Sequence, residues 1–212
     1  CDMVIESLVF GKYNRKVRAS IAYGFMLFLV SEAFVFAGFF WTYFDRIFDP
    51  SILTGGSSLP YGVEPLFKNL KPFYATLTLV LSGYCANWGI YLMHASSYFY
   101  AHMFSFSAIC LGIIFLLVQI AEYNSLIFTI TDSVYGSCFY LLTGFHGAHV
   151  IIGLIFLSIQ HERIVRCHFN RVRMQGYRLA VIYWHFVDYI WILLFLAVYM
   201  TNWNFSYYYM WH

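Results

Sequence analysis

Five runs of apolar residues, separated by short segments in which charges and prolines gather, set the pattern of this 212-residue chain. They fall at about 20–44, 72–95, 103–121, 134–160 and 178–203. Each is long enough to cross a hydrocarbon layer of about 30 Å at about 1.5 Å per residue. Length decides for helices, because membrane strands are shorter and alternate polar with apolar positions. The expected fold is an all-α polytopic membrane protein, a bundle of five transmembrane helices making one transmembrane domain over residues 1–212. All four prolines, Pro50, Pro60, Pro65 and Pro72, lie between the first two runs or at the entry to the second. No span is therefore expected to kink at proline.

Composition removes the soluble alternative. Charged residues make up 10% of the chain and aromatics 23%, with a mean hydropathy of +0.67; a soluble domain is about a quarter charged. The charges also orient the chain. Lys12, Arg15, Lys16 and Arg18 precede the first run, and Arg163, Arg166, Arg171 and Arg173 follow the fourth. Five crossings place both basic segments on one side, which the positive-inside rule assigns to cytoplasm or its organellar equivalent. The C-terminus then faces the other compartment, with Trp203, Tyr207, Tyr208, Tyr209 and Trp211 as interfacial anchors. The first eighteen residues lack the apolar core of a signal peptide. The five cysteines form no CxxC pair, and no phosphate-binding glycine loop is present. Bases at membrane edges suit anionic headgroups better than nucleic acid.

Candidate chemistry is intramembrane. Glu32 sits near the middle of the uncharged run IAYGFMLFLVSEAFVFAGFFWTYF, and a carboxylate in hydrocarbon normally faces a protein interior or a wet cavity. His146 and His149 lie three apart in TGFHGAHVIIG, and His185 and Asp188 repeat the spacing in YWHFVDYIW; each pair shares a helical face. The two faces could hold zinc or iron, flank a haem, bond to one another between helices, or handle protons and water. Asp188 could pair with His185 or with Arg178. Gln119, Glu122 and Tyr123 close the third run, and Thr129 to Asp132 can cap the fourth. Gly24, Gly38, Gly83, Gly89, Gly112, Gly144, Gly147 and Gly153 mark places for close helix approach.

These residues resemble a known family. YGFMLFLVSEAFVFAGFFW, GVEPL, LSGYCANW, QIAEYNSLIFTITDSVYGSCFYLLTGFHGAHVIIG and YWHFVDYIW, in that order, make the chain similar to subunit III of the haem-copper cytochrome c oxidases, most like the mitochondrial form. The resemblance runs over essentially the whole chain. It implies a non-catalytic core subunit of the mitochondrial inner membrane, with its N-terminus on the matrix side and its C-terminus in the intermembrane space. The expected partners are subunits I and II and accessory subunits. No catalytic residue, metal or intrinsic cofactor is expected; the implied ligands are phospholipids, such as phosphatidylethanolamine, phosphatidylglycerol or cardiolipin, held in a cleft. Glu32 matches the family's carbodiimide-reactive glutamate, with a packing or proton role. Glu6 and Trp41 are the expected lipid contacts. Glu122, His146, His149, His185 and Asp188 become an interhelical polar network without metal.

Departures qualify the match. The family begins with two further helices for which this chain has no sequence, and the lipids held against them would need another wall: a separate polypeptide, a species-specific subunit, or nothing. Ser58-Leu59-Pro60 stands for the family's Trp-Pro-Pro, Ile90-Tyr91 for its His-His, and Arg178 for its glutamate. A different class, a stand-alone membrane haem or quinone enzyme using His146, His149 and His185, is the alternative. A transporter would need an inverted repeat with broken helices, and neither is visible.

Overall fold

A computed structural model describes residues 14–48, 71–132, 134–169 and 174–200, and every regular element in them is helical. The helices are α1 (Arg15–Phe48), α2 (Lys71–His94), α3 (Tyr98–Tyr123), α4 (Val134–Val165) and α5 (Gln175–Leu194). A six-residue π-helical segment, Phe195–Met200, continues α5. The runs at 20–44, 103–121 and 134–160 fall inside α1, α3 and α4, which extend past them by several residues; the run at 72–95 passes the end of α2 by one residue, and the run at 178–203 covers α5 and the π-helical segment as far as it is described. Polar ends such as Arg15-Lys16-Val17-Arg18 and His161-Glu162-Arg163 prolong the helices, because long side chains such as Arg, Lys and Glu lose little freedom in helical geometry. Glu6, the first loop, Arg171, Arg173 and the C-terminal aromatic run lie outside the described residues.

The chain forms two compact units, Cys1–Val35 and Phe36–His212. In the first, α1 carries its hydroxyls inward along its own backbone: Ser20 donates to the carbonyl of Lys16 at 3.1 Å and Ser31 to that of Phe28 at 2.7 Å. This is how a serine is accommodated in an apolar helix without an outside partner.

In the second unit α2 packs on α3, α3 on α4, α4 on α5, and α5 returns to α2. Only Ala95, Ser96 and Ser97 join α2 to α3, which makes them antiparallel neighbours. The turn is a Schellman cap: Ser97 N–H donates to the carbonyl of Leu92 at 2.9 Å and Ser96 N–H to that of Met93 at 3.2 Å. Ser96 takes the left-handed position at φ 61°, where glycine is usual. Helix α4 ends the same way, with Cys167 at φ 53° and His168 N–H bonded to the carbonyl of Arg163 at 3.0 Å. At the far end of α3, Lys71 donates to the carbonyl of Ala121 at 3.4 Å and to Ser125 Oγ at 3.1 Å, placing a cation at a helix C-terminus.

Lipid offers no hydrophobic drive between helices, so close packing and hydrogen bonds must hold the ring together. Helix α5 supplies both through Tyr177, Trp184 and Trp191, all fully buried and spaced seven apart. Against the antiparallel α2, the Tyr177 hydroxyl donates to the carbonyl of Ala86 at 3.3 Å, Trp184 Nε1 to Ser82 Oγ at 2.9 Å, and Trp191 Nε1 to Thr76 Oγ1 at 3.0 Å. Ser82 passes its own proton to the carbonyl of Ala108 on α3 at 2.8 Å. The Trp184 benzo edge enters a notch between Gly112 and Gly153. A Cβ at Gly112 would lie 2.7 Å from Leu154 Cδ2 and 2.8 Å from Trp184, and one at Gly153 2.8 Å from Trp184. One indole thus touches α2, α3 and α4. By contrast a Cβ at Gly38, Gly144 or Gly147 would meet no described atom within 4 Å, so the close approach expected at those glycines is not made within the described residues.

Within the same unit the C-terminal part of α1 adds a line of rings. Phe36 meets His149 edge-on at 5.0 Å, Phe39 meets Phe145 at 4.9 Å, and Tyr43 meets Tyr135 at 6.2 Å.

Among the described residues, four helices are long and apolar enough to cross a membrane: Arg15–Asp45, Tyr98–Tyr123, Val134–Val165 and Gln175–Tyr199. The 24-residue α2 has the length but carries Thr76, Thr78, Ser82, Gly83 and Asn87, of which Thr76 and Ser82 accept from the indoles of α5 and Gly83 faces His185 and Asp188.

Candidate functional site: the polar interior of the bundle

The two paired motifs do not converge. His146 is buried, and its Nε2 lies 3.3 Å from the carbonyl of Val187 on α5. A carbonyl only accepts, so this contact places the proton on Nε2. The ring is wedged between Phe115 at 5.7 Å and Trp191 at 5.0 Å. His149 Nδ1 donates to the carbonyl of Phe145, one turn back on its own helix, at 2.7 Å. Both imidazoles therefore commit a proton to backbone.

His185 and Asp188 point elsewhere. His185 Nδ1 is 3.4 Å from Asp188 Oδ2, and the pair faces α2 at Gly83, where an added Cβ would collide with that same carboxylate oxygen and come within 3.1 Å of His185 Cε1. The absence of a side chain at Gly83 is what makes room for the pair. Asp188 chooses His185 over Arg178, which instead donates from Nη2 to His94 Nε2 at 2.5 Å. Among the described residues no group of three or more His, Cys, Asp or Glu side chains could hold a metal ion. Three-apart spacing correctly predicts a shared face, but the faces of α4 and α5 look in different directions.

A second polar cluster closes the other end of the bundle. Gln119 and Glu122, three apart on α3, are both buried. The fully buried Tyr199 is brought beside the Glu122 carboxyl by the π-helical segment. The Tyr199 hydroxyl is within hydrogen-bonding reach of that carboxyl, and the Gln119 side chain within reach of Tyr123. Tyr123 lies beside Gln119, yet its hydroxyl donates to Thr143 Oγ1 at 2.5 Å, and Thr143 passes a proton to the carbonyl of Phe139 at 2.7 Å. Asp132 closes the preceding turn by accepting from Thr129 N–H at 2.5 Å.

Of the remaining expected residues, Glu32 lies in α1 half-buried, and Trp41 is 77% exposed, as a side chain facing lipid or a partner would be. Glu6 lies outside the described residues. Sequence reasoning missed the Tyr177, Trp184 and Trp191 ladder, although its seven-residue spacing is the seam signature of packed helices. It also missed Tyr199, for which nothing in the sequence signals a π-helical turn.

The cytochrome c oxidase subunit III family matches residues 1–204. The chain is similar to cytochrome c oxidase subunit 3 of Phoca vitulina, with 39% identity over 198 residues, 93% of this chain and 76% of that protein. Similar matches, each at 38% identity over the same shares, are the subunits 3 of Halichoerus grypus and Dasypus novemcinctus. With so much of both chains aligned, and an interior built of the motif residues described above, this protein belongs to the cytochrome c oxidase subunit III family.

Proposed function

We propose that this chain is a non-catalytic core subunit of a mitochondrial cytochrome c oxidase, seated beside subunits I and II, where it stabilises the complex, holds phospholipids and supports proton uptake. The observation that carries the reading is the family match along residues 1–204. The interior agrees with it in kind, since its buried histidines are tied to backbone carbonyls. In this reading α2 is the fifth span, lent a polar face because α5 covers it. The basic ends of α1, α4 and α5 lie on the matrix side, and the C-terminus enters the intermembrane space. Trp41 and Glu6 contact lipid of the phosphatidylethanolamine, phosphatidylglycerol or cardiolipin class. Glu32 acts as an intramembrane carboxyl that tunes packing or proton access.

The test is purification through a tag on this chain from its own membranes. Subunits I and II should co-purify with haem absorbance, and the haem should remain with them when this chain is stripped away. Glu32→Gln should assemble but lose activity faster during turnover. Wild-type behaviour in both respects removes the role given to Glu32, and haem that follows the stripped chain removes the proposal as a whole.

A further inference from the structure

We propose that His102 on α3 and His161 on α4 form a two-histidine site for an exchangeable divalent ion of the zinc class. His102 lies in the second turn of α3, and His161 lies near the end of α4, past the apolar run at 134–160. Their rings stack with centroids 4.7 Å apart and planes at 24°. Both residues are half-buried, yet the Nδ1 atom of each is hidden from solvent and has no hydrogen-bond partner among the described residues. Two imidazoles in contact thus each bury a nitrogen that the protein leaves unsatisfied, and such a group calls for a partner.

The donor set selects the guest. Neutral imidazole is the commonest metal ligand, and it suits zinc, copper and nickel, whereas calcium and magnesium take oxygen. Two rings on one tetrahedral zinc, each nitrogen about 2.05 Å from the ion, would set their centroids about 5 Å apart. The 4.7 Å observed is close to that spacing, so turning the rings about their side-chain bonds suffices and neither helix has to move. The rival guest is a proton, but it satisfies one ring only, whereas a metal ion accepts a lone pair from both. The surrounding charges permit a cation. The end of α4 bears the negative pole of the helix dipole, Arg166 is paired with Glu162 at 2.8 Å, and Arg163 lies over the Phe169 ring at 4.5 Å. Phe106, 5.8 Å from His161, walls one side. With two protein ligands the remaining positions go to water, as in an open zinc site and not a closed structural one.

The site lies within this chain, so its failure would leave the oxidase-subunit reading intact. The test uses the intact complex in its lipid, zinc chloride as the probe, and diethyl pyrocarbonate, which attaches to an imidazole nitrogen that carries a free lone pair. A ring with metal on Nδ1 and a proton on Nε2 offers the reagent none. Peptide mass spectrometry follows His102 and His161 against the exposed His94, which faces the Arg178 guanidinium. At ten times the dissociation constant, zinc should slow modification of both rings about tenfold, while His94 is unaffected and magnesium chloride protects neither. His102→Gln should shift protection of His161 to higher zinc, and His161→Gln should do the same for His102. Equal rates with and without zinc overturn the proposal, as does protection of one ring alone or protection shared by His94. If both rings resist the reagent, equilibrium dialysis of the complex against zinc decides. Loss of a bound zinc equivalent in either variant supports the site, and unchanged uptake overturns it.

Discussion

Gly153→Ala tests whether the Trp184 notch holds the helices together. The new methyl group would stand 2.8 Å from Trp184 Cε3, 3.0 Å from Cζ3 and 3.3 Å from Tyr183 Cε1. The indole cannot move aside: its neighbouring edge already abuts Gly112 on α3, and its nitrogen is tethered to Ser82 on α2 at 2.9 Å. Overpacking a filled interior costs about 1–3 kcal/mol, and a broken hydrogen bond between membrane helices about 0.6 kcal/mol more. Alanine returns up to about 1 kcal/mol through its better helix propensity. The net expectation is a loss of about 1–3 kcal/mol. Gly147→Ala, on the same helix with no described atom within 4 Å of its Cβ, should gain up to about 1 kcal/mol by propensity alone. Reversible unfolding of the reconstituted chain in lipid–detergent micelles titrated with dodecyl sulfate measures both. Trp184→Phe withdraws the benzo edge, so the Gly153→Ala penalty should shrink by about 1 kcal/mol in the double variant. Equal effects at Gly147 and Gly153, or strict additivity with Trp184→Phe, would refute the clamp.

Gly83→Ala should cost about 1–3 kcal/mol by driving a methyl group into the Asp188 carboxylate, and the same unfolding assay should show relief in an Asp188→Ala background but not in Asp188→Asn. Ser96→Gly removes a left-handed non-glycine residue at φ 61° from the α2–α3 turn; stability should rise by about 0.5–1 kcal/mol, read as slower dodecyl sulfate unfolding.

The spans were legible because hydropathy over about 20 residues reports the solvent directly. The helix ends were not, since residues such as Arg15 and Glu162 are polar yet good helix formers. Spacing told which residues share a face: His146 with His149, and His185 with Asp188. It could not tell which neighbour each face meets, because that depends on how α5 is rotated against α2 and α4. Gly83 settles the rotation for the second pair, and a glycine reads the same in sequence whether it admits a carboxylate or faces open space, as at Gly144. Glu122 was placed at the end of its run, and only the family resemblance put it in an interhelical polar network. Its company became visible only when a π-helical turn carried Tyr199 back to it.

The three hydrogen-bonded rings of α5 also act as a vernier. Tyr177, Trp184 and Trp191 repeat every seven residues, so sliding α5 along α2 brings donors back toward acceptors only after about 10 Å. Any smaller slip strands two indole N–H groups in a dry interior at once, and each lost bond leaves a polar group that lipid cannot satisfy. The α2–α5 pair is thus a strut whose length is fixed in coarse steps. Movement of this unit along the membrane normal must be shared by both helices together, because a shear between them breaks these bonds.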